Sequence, residues 1–404
     1  MDKKLDYTKR KITNPEIQIT GSKSESNRLL ILQQWYFNLD LSNLSNSDDT
    51  QHLQKALNSK KKIINIGHAG TAMRFLTAYF STLEAREVTL TGSSRMQNRP
   101  IQVLVDAMRS LGAKIDYLDK QGYPPIQITG KKLRASKVAI NGNVSSQYIS
   151  ALLLIAPVLE QGLEIELLQE VTSKPYLEMT LGLLKQLGIQ TSWEENKIKI
   201  KPKATIEPTN IRVESDWSSA SYFYSFVALS ELGTSITLSS YKKNSLQGDS
   251  ILASIYTSFG VETIFLNNKI TISKTTLNTK PIKYNLKDAP DIAQTIAVSS
   301  FGLGIACNLT GLHTLKIKET DRLIALQNEL TKLGATIEVT ENSLALKVST
   351  VIKSNINIET YQDHRMAMAF APLALKTPIR IIDADVVSKS FPSFWEDLEA
   401  CFKK

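Results

Sequence analysis

Leu181–Ile200 reads LGLLKQLGIQTSWEENKIKI. Apolar residues at helical spacing run up to Leu187-Gly188, and two short extended stretches follow with a polar turn between them. Glycine just past the last helical turn is the expected helix stop. Lys197-Ile198-Lys199-Ile200 alternates with the period of two that marks a half-buried strand. The unit is therefore a helix, a glycine stop and a β-hairpin.

The same pattern recurs in Val105–Ile128, Ile251–Ile272 and Leu326–Val348. Its marker pairs are Leu111-Gly112, Leu187-Gly188, Phe259-Gly260 and Leu333-Gly334, at intervals of 76, 72 and 74 residues. A fixed period of this kind sets the architecture before any other argument. A second helix precedes each unit and opens with small or polar residues. Six such starts are present, at Ser22-Lys23-Ser24, Gly70-Thr71-Ala72, Ser145-Ser146-Gln147, Ser218-Ser219-Ala220, Asp291-Ile292-Ala293 and Asp363-His364-Arg365. The first interval is short, so the first unit lacks its hairpin. The sixth is truncated, with a helix from Arg365, a strand at Ile379–Ile382 and a last helix near Trp395. The N-terminal segment, with Ile12 and Ile17-Gln18-Ile19, is expected to supply its missing strands. Six α-and-β units, three per domain, follow. The inner domain is expected over 21–214 and the outer over 1–20 plus 215–404, with a ligand cleft between them.

The bulk numbers agree. A chain of 404 residues that is 42% hydrophobic holds more than one core. Met1–Asp6 mixes charges without an apolar run, which argues against a signal peptide. The apolar stretch Ala151–Leu159 has nine residues, against the ~20 needed to cross a bilayer. Cys307 and Cys401 form no disulfide framework and suit a reducing cytosol. The net charge of +9 leaves two readings, nucleic acid and small anions. The lysine runs at 60–62 and at Lys199, Lys201 and Lys203 read as solvated faces. His52, His68, His313 and His364 have no metal-ligand spacing, so neither metal nor cofactor is expected.

Chemistry concentrates at the helix starts. A helix N-terminus presents unpaired N–H groups and about half a positive charge, and several such ends in one cleft bind anions. Taken singly, Ser22, Ser145 and Ser218 are helix caps. The basic residues beside the starts shift the balance. Lys23 stands in a first turn, where the dipole disfavours a cation unless an anion offsets it. Arg28 and Arg74 follow their starts, and Arg95 and Arg99 flank a loop. Lys316–Arg322 concentrates charge, Arg365 opens the last repeat helix, and Lys389 lies in Ser388–Pro392. Arginine suits carboxylate and phosphate through its planar fork.

Gly21–Arg28, Ala69–Arg74, Arg95–Pro100, Ser145–Gln147, Ser173–Tyr176, Gln247-Gly248-Asp249, Lys318–Arg322, Asp363–Arg365 and Lys389–Pro392 resemble, in order, the motifs of the 5-enolpyruvylshikimate-3-phosphate synthase family. The resemblance implies an enolpyruvyl transferase-like α/β fold of six βαβαββ units in two domains. It implies transfer of enolpyruvate from phosphoenolpyruvate to shikimate 3-phosphate in the shikimate pathway. Ser24, Arg28, Ser145, Ser146, Gln147, Ser173, Asp291 and Lys318, with Lys23, would hold shikimate 3-phosphate. Lys23, Gly70, Arg95, Gln147, Arg322, Arg365 and Lys389 would hold phosphoenolpyruvate, at a site that the inhibitor glyphosate also takes. Asp291, Glu319 and Lys23 would move protons. A cytoplasmic monomer with no nucleic-acid or membrane partner is expected. The chain departs from the family pattern at Thr20, His68, Phe75 and Thr314, where Pro, Asn, Pro and Asn are usual. The sister transferase acting on UDP-N-acetylglucosamine usually carries Cys or Asp in the loop matching Gly92–Arg99 and Lys-x-Asn at the first helix. This chain has Ser93-Ser94-Arg95 and Lys23-Ser24-Glu25. An RNA-end-processing protein of related fold, or an inactive scaffold, are the remaining readings. Loss of Lys23, Asp291 or Glu319 would have favoured the scaffold, and none is lost.

Overall fold

In the computed structural model the described residues are 1–143 and 145–402, without the Ile317 side chain. Lys403 and Lys404, which the sequence reading assigns to the outer domain, lie outside them. Two compact units are present, Gly21–Val213 and Met1–Thr20 with Glu214–Lys404. Glu214 goes with the outer unit, where its carboxylate accepts from Trp217 Nε1 and the Lys242 N–H, both at 2.9 Å, and from Ser245 Oγ at 2.7 Å.

Four four-stranded sheets share one topology: a parallel pair, then an antiparallel hairpin added to one of its strands. In the inner unit, Ile63–Asn65 runs parallel to Glu87–Thr91, which pairs with Ile126–Thr129 and through it with Lys114–Tyr117. Lys137–Asn141, Leu163–Leu168, Lys197–Ile200 and Thr191–Glu194 repeat the arrangement. The outer unit repeats it around Ser235–Ser239 and Cys307–Thr310. The four marker glycines, Gly112, Gly188, Gly260 and Gly334, all have positive φ, from 69° to 104°. That conformation ends each helix and starts the hairpin without a Cβ penalty.

Two expectations are corrected. The strand that completes the last unit is Lys3–Leu5, antiparallel to Ile379–Ile381. Glu16–Ile17 instead runs parallel to Ser235–Ser239, and Ile12 lies in no strand. The first inner sheet is closed by Thr209–Arg212, parallel to Leu39–Ser42. Each crossing thus leaves a strand behind. Glu16–Ile17 precedes the inner unit but pairs in the outer, and Thr209–Arg212 does the converse. Gly21 is required at the first crossing, because a Cβ there would stand 1.9 Å from the Asn43 carbonyl oxygen. The second correction concerns Ile251–Phe259, which is a 3₁₀ turn, one α turn (Leu252–Ile255) and another 3₁₀ turn rather than one helix. Thr257 Oγ1 donates to the Ser254 carbonyl at 2.7 Å, and such local bonds compete with helix propagation.

Each unit has three central helices: Lys23–Gln33, Gly70–Ser81 and Ser146–Ile155 in the inner one, Trp217–Leu229, Ala293–Gly302 and His364–Phe370 in the outer one. Every residue of Gly70–Ser81, Ala293–Gly302 and His364–Phe370 is buried, including the polar Arg74, Gln294, His364 and Arg365. A fully buried Phe or Leu among them contributes ~1.5–3 kcal/mol. Small hydroxyls between the helices are paired: Ser221 Oγ with Thr295 Oγ1 at 3.0 Å, and Ser225 with Ser299 at 2.8 Å. Amphipathic helices such as Gln102–Ser110, Lys174–Gln186 and Arg322–Lys332 lie outside this layer. Among the described residues no helix is long and apolar enough to cross a membrane.

Candidate active site

The starts of the three central helices of the outer unit meet through side chains. Arg365 donates to the Asp291 carbonyl at 3.1 Å, pairs with Asp291 Oδ2 at 3.1 Å and donates to Ser218 Oγ at 3.3 Å. The cap before Trp217–Leu229 is Asp216, which accepts from the Ser219 N–H. Ser218 is therefore not the cap, and its hydroxyl donates to Asp249. Asp363 caps the last repeat helix, accepting from the Arg365 N–H at 2.9 Å.

Arg322 lies at the centre of this cluster, with a side chain only 2% exposed. Its Nε donates to Asp363 Oδ2 at 2.7 Å, one Nη to Asp291 at 3.0 Å and the other to Glu319 at 2.8 Å. Burial opposes the guanidinium charge, but Asp363, then Glu319 and Asp291, outweigh it and hold the group above its ordinary pKa. Glu319 bridges to Lys389 Nζ at 2.5 Å, and Lys318 stands 3.6 Å from Asp291. Burial would raise the Asp291 pKa. Arg365, Lys318 and Arg322 outweigh it and hold that carboxyl well below the usual range. Asp249 shows the opposite balance. Burial and the neighbouring Asp291 charge push it up to about 7, against the pull of Arg365. Asp249 stands in the Gln247-Gly248-Asp249 motif, but its burial leaves no trace in one dimension.

In the inner unit Lys23 pairs with Asp49 at 3.3 Å, so a carboxylate of the chain itself already offsets the cation in that first turn. Asp49 is 26 residues away, and no local pattern in the sequence links it to Lys23. Ser22 caps Lys23–Gln33 and Ser145 caps Ser146–Ile155. Arg28 uses four of its five N–H groups on Thr180, Ser150, Ser24 O and Tyr176 O, and burial lowers its pKa to about 10. Its guanidinium lies 5.5 Å from the Phe75 ring. Gln147 Nε2 donates to Thr71 Oγ1 at 3.3 Å, which joins two helix starts. The Thr172 N–H donates to the Gly142 carbonyl at 3.1 Å, tying the Ser173 loop to the strand end before Ser145. Ser173 itself has φ +55°.

Arg74 is a brace rather than a ligand group. It is buried, and its guanidinium donates to Gly70 O at 3.2 Å and Pro100 O at 3.0 Å. That fixes the Arg95–Pro100 loop on the Gly70 turn. Arg95 is exposed. Arg99, named in the sequence only as its companion, lies against Gly70, where a Cβ would stand 2.5 Å from its Nη1.

A family model described as EPSP synthase (3-phosphoshikimate 1-carboxyvinyltransferase) matches residues 37–398. A 3-phosphoshikimate 1-carboxyvinyltransferase of Bacteroides fragilis (strain YCH46) is 44% identical, over 95% of this chain and 94% of that protein. One of Haemophilus influenzae is 36% identical, over 96% of each. An EPSP synthase structure from Acinetobacter baumannii superposes with a TM-score of 0.79 at 22% identity, covering 99% of this chain and 98% of that one.

Proposed function

The chain belongs to the EPSP synthase family, and we propose that it transfers the enolpyruvyl group of phosphoenolpyruvate to the 5-hydroxyl of shikimate 3-phosphate, releasing phosphate, in the shikimate pathway to aromatic amino acids. The observation that carries the reading is the outer cluster. Buried Arg322 is shared by Asp291, Glu319 and Asp363, and Lys318, Arg365 and Lys389 stand on the same carboxylates. A site that must grip a carboxylate and a phosphate while moving two protons needs this mixture.

Lys23, Lys318, Arg322, Arg365 and Lys389 are each already paired with a carboxylate of the chain. Incoming phosphoenolpyruvate competes for Arg322, Arg365 and Lys389, and Lys23, Gly70, Arg95 and Gln147 are its further proposed contacts. Shikimate 3-phosphate takes Ser24, Arg28, Ser145, Ser146, Gln147 and Ser173, with Asp291 and Lys318. Cations drawn to substrate hold Asp291 and Glu319 less tightly, and both carboxylates become better proton acceptors. Glu319 takes up a proton as Arg322 and Lys389 turn to the substrate and gives it, with Lys23 as a further acid, to C3, while Asp291 accepts the proton of the 5-hydroxyl as its oxygen attacks C2 and later passes it to the departing phosphate. The tetrahedral intermediate then loses a C3 proton to Glu319 and its C2–O bond to phosphate, leaving the enolpyruvyl ether. The protein acts as a cytoplasmic monomer, and its two buried thiols suit a reducing compartment.

The test is phosphate release from the two substrates together. Release that requires both is expected. Release with UDP-N-acetylglucosamine in place of shikimate 3-phosphate, or none with either, would overturn the reading.

A further inference from the structure

Tyr361 and Gln362 precede the Asp363-His364-Arg365 turn, and both have positive φ, +54° and +55°. Left-handed backbone is rare for L-residues other than Gly, Asn and Asp, and two in succession persist only where the surroundings impose them. The surroundings here are the helix Arg322–Lys332. Glu329, with 0% of its side chain exposed, lies two turns beyond Arg322 on that helix. Its Oε1 accepts the Tyr361 hydroxyl at 2.6 Å, and its Oε2 accepts the Glu359 N–H at 3.1 Å and Lys332 Nζ at 2.6 Å. Lys332 also donates to the Asn357 carbonyl at 3.3 Å.

One helix thus holds the segment at two points about 10 Å apart along its axis. At its start Arg322 binds Asp363, and near its end Glu329 binds Glu359 and Tyr361. The strained pair lies between the two grips. We propose that Glu329 and Tyr361 are positioning residues for the phosphoenolpyruvate subsite, a strut that keeps Tyr361 and Gln362 left-handed so that Asp363 meets Arg322 and Arg365 meets Asp291. Without the phenol bond the segment relaxes toward negative φ, Asp363 withdraws from Arg322, and Arg365 loses its alignment. Burial and Glu329 push the phenol up to about 12, so it remains a donor through neutral pH. The assignment of this subsite to phosphoenolpyruvate rests on the function proposed above, whereas the mechanical role of the strut does not.

The experiment compares the unmodified protein with Tyr361→Phe, which keeps the ring and removes the bond. Half-saturation by phosphoenolpyruvate is expected to rise about tenfold, the cost of releasing one strained residue. Turnover at saturation and half-saturation by shikimate 3-phosphate should change by a smaller factor, about threefold at most, since among that substrate's proposed contacts only Asp291 is a partner of Arg365, and Asp291 keeps Arg322 and Lys318. Adding Gln362→Gly should restore phosphoenolpyruvate saturation, because glycine adopts positive φ without steric cost. Amide exchange over 363–366, measured without substrate, should quicken in Tyr361→Phe and slow again in the double variant. An equal rise for both substrates, an unchanged phosphoenolpyruvate constant or failure of the glycine rescue would each overturn the strut. If the unmodified protein releases no phosphate, the functional reading fails, and the exchange measurement alone decides the strut.

Discussion

Arg322 Nε and Asp363 Oδ2 meet at 2.7 Å with side chains 2% and 0% exposed. The pair joins two helix starts, because Asp363 also caps the helix carrying Arg365. Breaking a buried pair by removing one partner costs ~3–5 kcal/mol, and losing a cap about 1 kcal/mol. Arg322 keeps Asp291 and Glu319, which offsets part of the loss. Asp363→Ala should therefore destabilise the protein by roughly 3 kcal/mol in urea unfolding. A loss below about 1 kcal/mol would mean that the other two carboxylates suffice.

Glu319 stands between Arg322 and Lys389. The amide of Glu319→Gln keeps its shape and removes its charge and basicity. Turnover should fall about 100-fold or more, in the range of general acid–base catalysis, while substrate binding is largely kept. Near-normal turnover would remove Glu319 from the proton path.

Asp249 provides a pH test. Burial and Asp291 raise its pKa in the folded protein to about 7, whereas in the unfolded chain it titrates near the ordinary ~3.9. Between these values the folded state holds a proton that the unfolded state has lost, so stability falls as pH rises through that window. The asparagine of Asp249→Asn still accepts from Ser218 and does not titrate. The variant should gain on the unmodified protein from pH 4 to 7, by on the order of 4 kcal/mol at the upper end. Parallel urea curves at all pH values would show that Asp249 is ionised throughout.

Legibility in the sequence followed the range of each interaction. The hairpin units could be read because Gly112, Gly188, Gly260 and Gly334 need positive φ and their strands alternate with period two. The strands beside the two crossings could not. Glu16–Ile17 has two residues and no period, and only the sheet decides its partner. In the site, the cations were legible one at a time. Their pairing was not, because Lys23 finds Asp49 and Arg322 finds Asp363 across long separations. The basic residues alone read as a shared anion cleft, and nothing beside them in the sequence marks Asp49, Asp291 and Asp363 as the carboxylates that Lys23, Arg365 and Arg322 meet. Arg74 is a related case. Its distance from Gly70 suits a helix-start ligand, yet its guanidinium braces two carbonyls.

Gly70 opens a helix whose twelve residues are all buried, and the Arg99 guanidinium occupies the space a methyl would take, 2.5 Å from the ideal Cβ. Backbone there cannot yield easily, since Arg74 holds the Gly70 carbonyl. The flexible end of Arg99 must move instead. Gly70→Ala should therefore fold with little loss but with Arg99 displaced. Glyphosate is longer than phosphoenolpyruvate, so a methyl and a shifted arginine at this turn should cost it more. Glyphosate inhibition is expected to weaken by a larger factor than phosphoenolpyruvate saturation rises. Phe75 is buried beside Arg28, 5.5 Å from its guanidinium, which makes the ratio of the two constants a sounder quantity than the sensitivity of the unmodified protein. The route is tested by combining Gly70→Ala with Arg99→Gln. If the methyl acts by moving Arg99, the two changes are non-additive, as expected of residues in contact, and the double variant discriminates no better than Arg99→Gln alone. Equal factors for inhibitor and substrate in Gly70→Ala would show that the methyl does not discriminate. Strict additivity in the double variant would show that it acts without Arg99.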